Sequence, residues 1–326
     1  MKKLLASILC ATALAVAAPI QADAATELKF GHVLKEDSWY QQVAVKFKEL
    51  VEERSKGEVT VTIFPNGQLG GEAKMIQSAR VGAVSLGVAS SPIFEPTVPE
   101  FAVLSLPYLF DDAAQANVRL ASDAGQAMLD LLDQHGVVGL GFFSAAERDV
   151  FGKTAIRSAA DLKGLKIRVP QSPSFVDTYE AMGAQATPMA YTELYLALQN
   201  GVIDAADTSA DVYVSDRFFE VSKYFNRTRV HYAAPVLFMS KLQLDRLSEE
   251  HQQIVRQAGK DALAFGNEAY AGMVADAIAR MKEDGVEVVE TDVTGMREEA
   301  RTVWPTLLED IPNGQAMLDR LTVETQ

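Results

Sequence analysis

The sequence predicts an α/β protein of two lobes joined by short hinges. Three observations carry that reading. Strand-like and helix-like periods alternate along the chain, a helix–glycine–strand unit occurs twice, and a long helical stretch follows that can span both lobes. A length of 326 residues suits about two domains of ordinary size.

The elements follow in order. A strand from Leu28 leads through a turn to a helix from Ser38 to Ser55, which Gly57 ends. VTVTIF, Val59 to Phe64, alternates as a second strand, and the turn-rich loop PNGQLGG comes next. Glu72 to Val81 reads as a helix stopped by Gly82, and Val84 to Val88 as a third strand. Asp111 and Asp112 read as a helix start, and Tyr108, Phe110, Phe218 and Phe219 as core. Further on, Leu165, Ile167 and Val169 alternate with Lys166 and Arg168, and Pro170 ends that strand. Ser174 to Met182 is helical and AQATPM extended. Thr192 caps a helix running to Asn200, and VIDAAD, Val202 to Asp207, is a strand. The repeated unit is SARVGAVSLGV (Ser78 to Val88) and ALQNGVIDAAD (Ala197 to Asp207). After Ser248, helical periodicity persists for nearly forty residues, and Gly259, Gly266 and Gly272 are expected to bend or break it. VEVVE supplies a last strand.

Composition narrows the function. Hydrophobic residues make up 48% and charged residues 23%, as in a globular body. A formal charge of −14 and a pI near 4.8 argue against nucleic acid and against an anionic membrane surface. Residues 1–24 have the anatomy of a secretory signal peptide: Lys2 and Lys3, an apolar run from Leu4 to Ala18, and the A-x-A site Ala22-Asp23-Ala24. Cys10 is not a lipoprotein cysteine, because the apolar run continues past it. Cleavage near Ala24 removes Lys2, Lys3 and Asp23, moves the charge to −15 and leaves no cysteine. Such a chain has neither disulfides nor a thiol nucleophile and relies on its core. A periplasmic location follows from this reading.

Little catalytic chemistry is visible. His32, His135, His231 and His251 have no metal-ligand spacing, and there is no G-x-S-x-G elbow and no phosphate-binding loop. Asp204, Asp207 and Asp211 do not match a calcium loop and read as a solvated acidic edge. No metal, no cofactor and no catalytic residue is expected.

Two arginines stand out. Arg148 follows the strand-like run VVGLGFFS, and Arg168 ends the strand before Pro170, where α/β proteins often place a ligand. A guanidinium fork suits a carboxylate. From the residues alone, a surface ion pair and an anion site stay equally open for Arg168, and the ion pair is favoured for Arg148.

The wider pattern resembles the DctP-type solute-binding proteins of TRAP transporters. The resemblance is carried by LKFGHVLKEDS, KFKELVEERSKGEVTVTIFPNGQLGGE, VPEFAVLSLPYLF, SAADLKGLKIRVPQS, GAQATPMAYTELYLALQNGVIDAAD and FFEVSKYF, in order along most of the chain. It implies a two-lobed periplasmic-binding-protein fold, type II-like, with a central ligand cleft and a long helix spanning both lobes. The implied lobes are 25–145 with about 234–273, and 146–233 with about 274–326. It further implies a monomeric receptor, not an enzyme, that closes on an organic acid and delivers it to the small and large permease subunits. A C4-dicarboxylate or a sugar acid is the expected class. By the resemblance Arg168 pairs with the ligand carboxylate, Arg148 adds a second contact, and Tyr191 packs its ring against the ligand. Where the family often has Q-E-N, this chain has Ala206-Asp207-Thr208, so Thr208 takes the asparagine's place. His32, Glu72, Ser90, Ser91 and Trp39 are further cleft candidates. The alternatives are an exported α/β enzyme acting on an organic acid and a sensory ligand-binding protein.

Overall fold

A computed structural model describes residues 25–322. The signal-peptide reading, with Cys10, falls outside the described residues. Two mixed sheets form the two lobes. The first has the order β2-β1-β3-β10-β4, with β1 (Thr26–Gly31), β2 (Val59–Phe64), β3 (Leu86–Ser90), β4 (Val137–Phe142) and β10 (Pro235–Ser240). The second has the order β11-β9-β5-β8-β6-β7. Its strands are β5 (Ala146–Gly152), β6 (Lys166–Val169), β7 (Gln185–Pro188), β8 (Ala205–Thr208), β9 (Tyr224–Ala233) and β11 (Glu287–Glu290).

Local chemistry sets most boundaries. Ser38 caps the helix Trp39–Arg54 by accepting from the Gln41 amide, and Asp112 accepts from the Gln115 amide at 2.7 Å ahead of Ala113–Leu120. One expected cap is corrected. Thr192 lies inside a 3-10 turn, Tyr191–Glu193, because the chain leaves β7 already turning; the α-helix starts only at Leu194.

The chain crosses between the sheets three times, the last through the helix Glu249–Glu283 between β10 and β11. Residues 143–145 join β4 to β5, and Ala234 alone separates β9 from β10. The first crossing is pinned by side-chain amides. Asn117 Oδ1 accepts from the Ala145 amide at 2.7 Å, and Asn267 Oδ1 accepts from the Ser144 amide at 2.7 Å. Asn267 belongs to the helix Glu249–Glu283, which packs on Trp39–Arg54 and β4 on one side and on Ala210–Ser215 and β11 on the other. At about 1.5 Å per residue its 35 residues reach roughly 52 Å.

That helix corrects a second expectation: it runs unbroken through Gly259, Gly266 and Gly272. A Cβ at Gly266 would lie 2.3 Å from Val43 Cγ2, and one at Gly259 would lie 3.1 Å from Leu140 Cβ. These glycines let neighbours approach, and that packing outweighs the roughly 1 kcal/mol each loses in helix propensity. The main core lies beneath the first sheet and this helix, and a smaller one packs Phe175, Tyr179 and Met182 on Ile167 and Val169 of β6.

Candidate functional site

The parallel strands of both sheets end toward one cleft. In the second lobe the C-terminal ends of β6 and β8 lie side by side, with Arg168 opposite Ala206. Antiparallel β5 starts at the same edge, with Asp149 opposite Thr208. In the first lobe the end of β3 meets the start of β10, Ser90 opposite Pro235. Ligands in α/β sheets bind at such carboxyl ends.

The cleft encloses about 520 Å³ of non-atom space, open solvent at its mouth included. Seven of the nine residues expected from sequence line it: Trp39, Glu72, Ser90, Arg148, Arg168, Tyr191 and Thr208. His32 and Ser91 do not. His32 is buried, and its Nε2 is paired with Gln41 Oε1 at 2.8 Å, which draws the ring onto the helix Trp39–Arg54. Ser91 is buried at the start of the 3-10 turn Ser91–Phe94. Tyr40, Pro170 and Ser209 also line the cleft, and only their adjacency to Trp39, Arg168 and Thr208 could have pointed to them.

The two arginines differ. Arg148 donates through Nε to Asp207 Oδ2 at 2.6 Å, and through Nη2 to Asp207 Oδ1 at 2.9 Å and to the Asp207 carbonyl at 2.7 Å. Asp207 is fully buried, so the solvated acidic edge expected there is corrected: the carboxylate is the counter-ion of Arg148. Burial alone would raise the Asp207 carboxyl, but the charge and hydrogen bonds of Arg148 hold it below the usual range.

Arg168 has no such partner. It is 2% exposed, and its Nε and Nη2 donate to the Met189 carbonyl at 3.0 and 2.7 Å. No salt bridge to it forms among the described residues. Burial, then the repulsion of Arg148, lower its pKa to about 10, so it stays charged at neutral pH. The ring centroid of Tyr191 lies 6.0 Å from its guanidinium. Across the cleft Glu72 opens the helix Glu72–Arg80 and accepts from the Ser90 amide at 3.0 Å. Burial raises its carboxyl, while the Ser90 bond and both arginines oppose the rise. Trp39 lines the site and also anchors the core, stacked on Tyr270 at 4.0 Å.

Behind Arg148, His231 stacks on Phe175 with centroids 3.8 Å apart. Burial, partly offset by the charge of Asp207, pushes its pKa down to about 3. The folded state therefore holds it neutral where the unfolded chain, near pKa 6.5, would bind a proton. Its stabilising effect is complete above pH 6.5 and is lost as pH falls toward 3, at up to about 1.4 kcal/mol per pH unit. Denaturant titrations between pH 7 and 4.5 are expected to show a flatter acid limb for His231→Gln than for the wild type. Parallel curves refute this.

Comparison with known proteins places the chain. The family model described as bacterial extracellular solute-binding protein, family 7, matches residues 30–310. The 2,3-diketo-L-gulonate-binding periplasmic protein of Escherichia coli (strain K12) is 32% identical over 90% of this chain and 91% of its own length. Among solved structures, a TRAP periplasmic solute-binding protein from Sulfitobacter sp. NAS-14.1 with bound β-D-galacturonate superposes with a TM-score of 0.88. It is 30% identical and covers 91% of this chain and 99% of that one. The sugar acid-binding protein of Advenella mimigardefordensis in complex with galactonate gives a TM-score of 0.87 at 30% identity, covering 92% of this chain and 99% of that one. With the two-sheet architecture, the cleft at the strand ends and these matches over nine-tenths of its length, the chain belongs to the bacterial extracellular solute-binding proteins of family 7, the receptors of TRAP transporters.

Proposed function

We propose that this receptor captures a sugar acid, a uronate or an aldonate, in the periplasm and hands it to a TRAP permease. The observation that carries the proposal is the Arg168 guanidinium, buried at the strand end, with its hydrogen bonds on a carbonyl and no counter-ion among the described residues. A ligand carboxylate supplies that counter-ion, and each charge-assisted hydrogen bond contributes on the order of 1.5–3 kcal/mol. Arg148 contributes field more than a free fork, since Asp207 already takes its Nε and Nη2.

The rest of the cleft favours hydroxyls over a second carboxylate. Glu72 accepts hydroxyl protons but repels another anion, and Ser90 and Thr208 add small hydroxyl partners. Relatives that hold galacturonate and galactonate support this choice. Ligand touching both sheets shifts an open population to a closed one, with hinges at 143–145 and Ala234. The moving bodies are 25–145 with about 234–273 and 146–233 with about 274–322, and the helix Glu249–Glu283 bridges both. The end helix Gly314–Thr322 reaches back to Ala113–Leu120 and Asp123–Leu131 of the first body. The acid leaves unchanged, and the protein acts as a monomer.

Calorimetry with D-galacturonate, D-glucuronate, galactonate and succinate tests the reading. At least one sugar acid is expected to bind at micromolar affinity or better, with succinate about tenfold or more weaker. Glu72→Gln should narrow that gap by weakening the sugar acid and relieving the dicarboxylate. Tighter binding of succinate by the wild type, or turnover of any of these acids, overturns the proposal.

A further inference from the structure

We propose that Lys35, Ser215 and Asp216 form a latch across the mouth of the cleft, with Asp216 as a positioning residue that couples the latch to Tyr191 beside Arg168. The proposal rests on the reading that the cleft closes on an organic acid.

Lys35 belongs to the loop after β1 in the first lobe, and Ser215 ends the helix Ala210–Ser215 that follows β8 in the second. The Lys35 ammonium donates to the Ser215 carbonyl at 3.3 Å, a bond between residues 180 apart in sequence. That carbonyl sits at a helix end, where the last acceptors lack intrahelical donors and a lysine can satisfy them. The next residue, Asp216, accepts from the Tyr191 hydroxyl through Oδ2, while its buried Oδ1 has no hydrogen-bond partner among the described residues. Lys35 is the cation acting on this carboxylate, and Asp37 and Asp211 act against it.

One side chain thus touches both ends of the device. Asp216 holds the tyrosine that flanks Arg168, and it follows the carbonyl that the opposite lobe grips. The mouth is tight beside the latch as well. Gly67, in the first lobe, adopts φ +67°, and a Cβ there would lie 2.7 Å from Thr192 Cγ2 of the second. Opening the lobes breaks the Lys35 bond and parts Gly67 from Thr192. The Tyr191–Asp216 bond lies within the second lobe and persists, ready to orient the ring when the next ligand arrives.

The test compares wild type, Lys35→Met, Asp216→Asn and Tyr191→Phe. With the sugar acid that binds the wild type best, stopped-flow kinetics are expected to show about tenfold faster dissociation for Lys35→Met and Asp216→Asn. Association should stay within about twofold, because the latch forms after encounter. Tyr191→Phe should also speed dissociation while leaving the lobes' separation unchanged. The double variant Lys35→Met with Asp216→Asn should fall short of the sum of the two single effects. Unchanged dissociation in Lys35→Met overturns the latch, and unchanged dissociation in Asp216→Asn and Tyr191→Phe overturns the positioning role. If no sugar acid binds the wild type, the functional reading fails, and the latch is then read by small-angle scattering of ligand-free protein. A larger radius of gyration for Lys35→Met than for wild type supports it, and identical curves overturn it.

Discussion

Replacing Arg168 by lysine is expected to weaken binding of the organic acid by about 100-fold, the largest effect of any conservative change in the cleft. Truncating one side of a buried, hydrogen-bonded charge pair costs roughly 2–5 kcal/mol, and about 2.7 kcal/mol is 100-fold in affinity. Lysine keeps the charge but loses the planar fork. It is also a compact, strongly hydrated cation that gives up its pKa more readily on burial than a guanidinium does. Without ligand, the fold should be indifferent to the change, because Arg168 makes no salt bridge among the described residues and its hydrogen bonds go to the carbonyl of Met189. Calorimetry and thermal unfolding separate the two effects. An affinity within about threefold of wild type would exclude Arg168 as the carboxylate partner.

The opposite pattern is expected for Asp207→Asn: a large loss of stability. The carboxylate is fully buried and takes two hydrogen bonds from Arg148. Removing one partner of a buried pair leaves the other charge uncompensated, at about 3–5 kcal/mol. In a chain of this size that lowers the unfolding midpoint by roughly 5–8 °C. The pH dependence has a definite sign. Because the folded carboxyl is held low, its contribution is complete above the unfolded value of about 3.8 and disappears only as pH falls through the lower folded value. The deficit of the variant should therefore be constant across neutral pH and shrink only in strong acid. Replacing both partners, Arg148→Met with Asp207→Leu, should recover much of the loss, since two apolar side chains leave no orphaned charge. A double variant less stable than either single one would contradict this account.

The two arginines also show how far the sequence can be read. The end of β6 and the placement of Arg168 were legible, because alternation of Ile167 and Val169 with Lys166 and Arg168 is a local period and Pro170 is a local stop. Helix starts at Ser38, Asp112 and Ser248 were legible for the same reason, since a cap reaches only two or three residues ahead. Alternation alone could not tell a polar face from a buried one for Arg168. It is buried because it ends β6 inside the cleft, against the Met189 carbonyl and the Tyr191 ring, rather than on a solvated face.

Two of the misreadings share one cause. Asp207 looked like part of a solvated edge because its counter-ion lies 59 residues earlier, on β5, a strand that reaches it only through the order β9-β5-β8-β6. Gly266 and Gly259 of the long helix looked like breaks because their partners, Val43 and Leu140, belong to distant elements. Nothing in the segment from Tyr191 to Asp216 announces that the two side chains meet.

The sequence by itself determined the alternation of elements, most of their caps and stops, the acidic character of the chain and the residues from which a carboxylate site can be made. Only the tertiary structure decided which arginine is neutralised from within and which is left without a counter-ion among the described residues. Periods and caps arise from neighbours a few residues apart, so they are written in the local sequence. The balance of buried charge depends on which strands lie side by side, and sheet order is settled by packing over the whole chain.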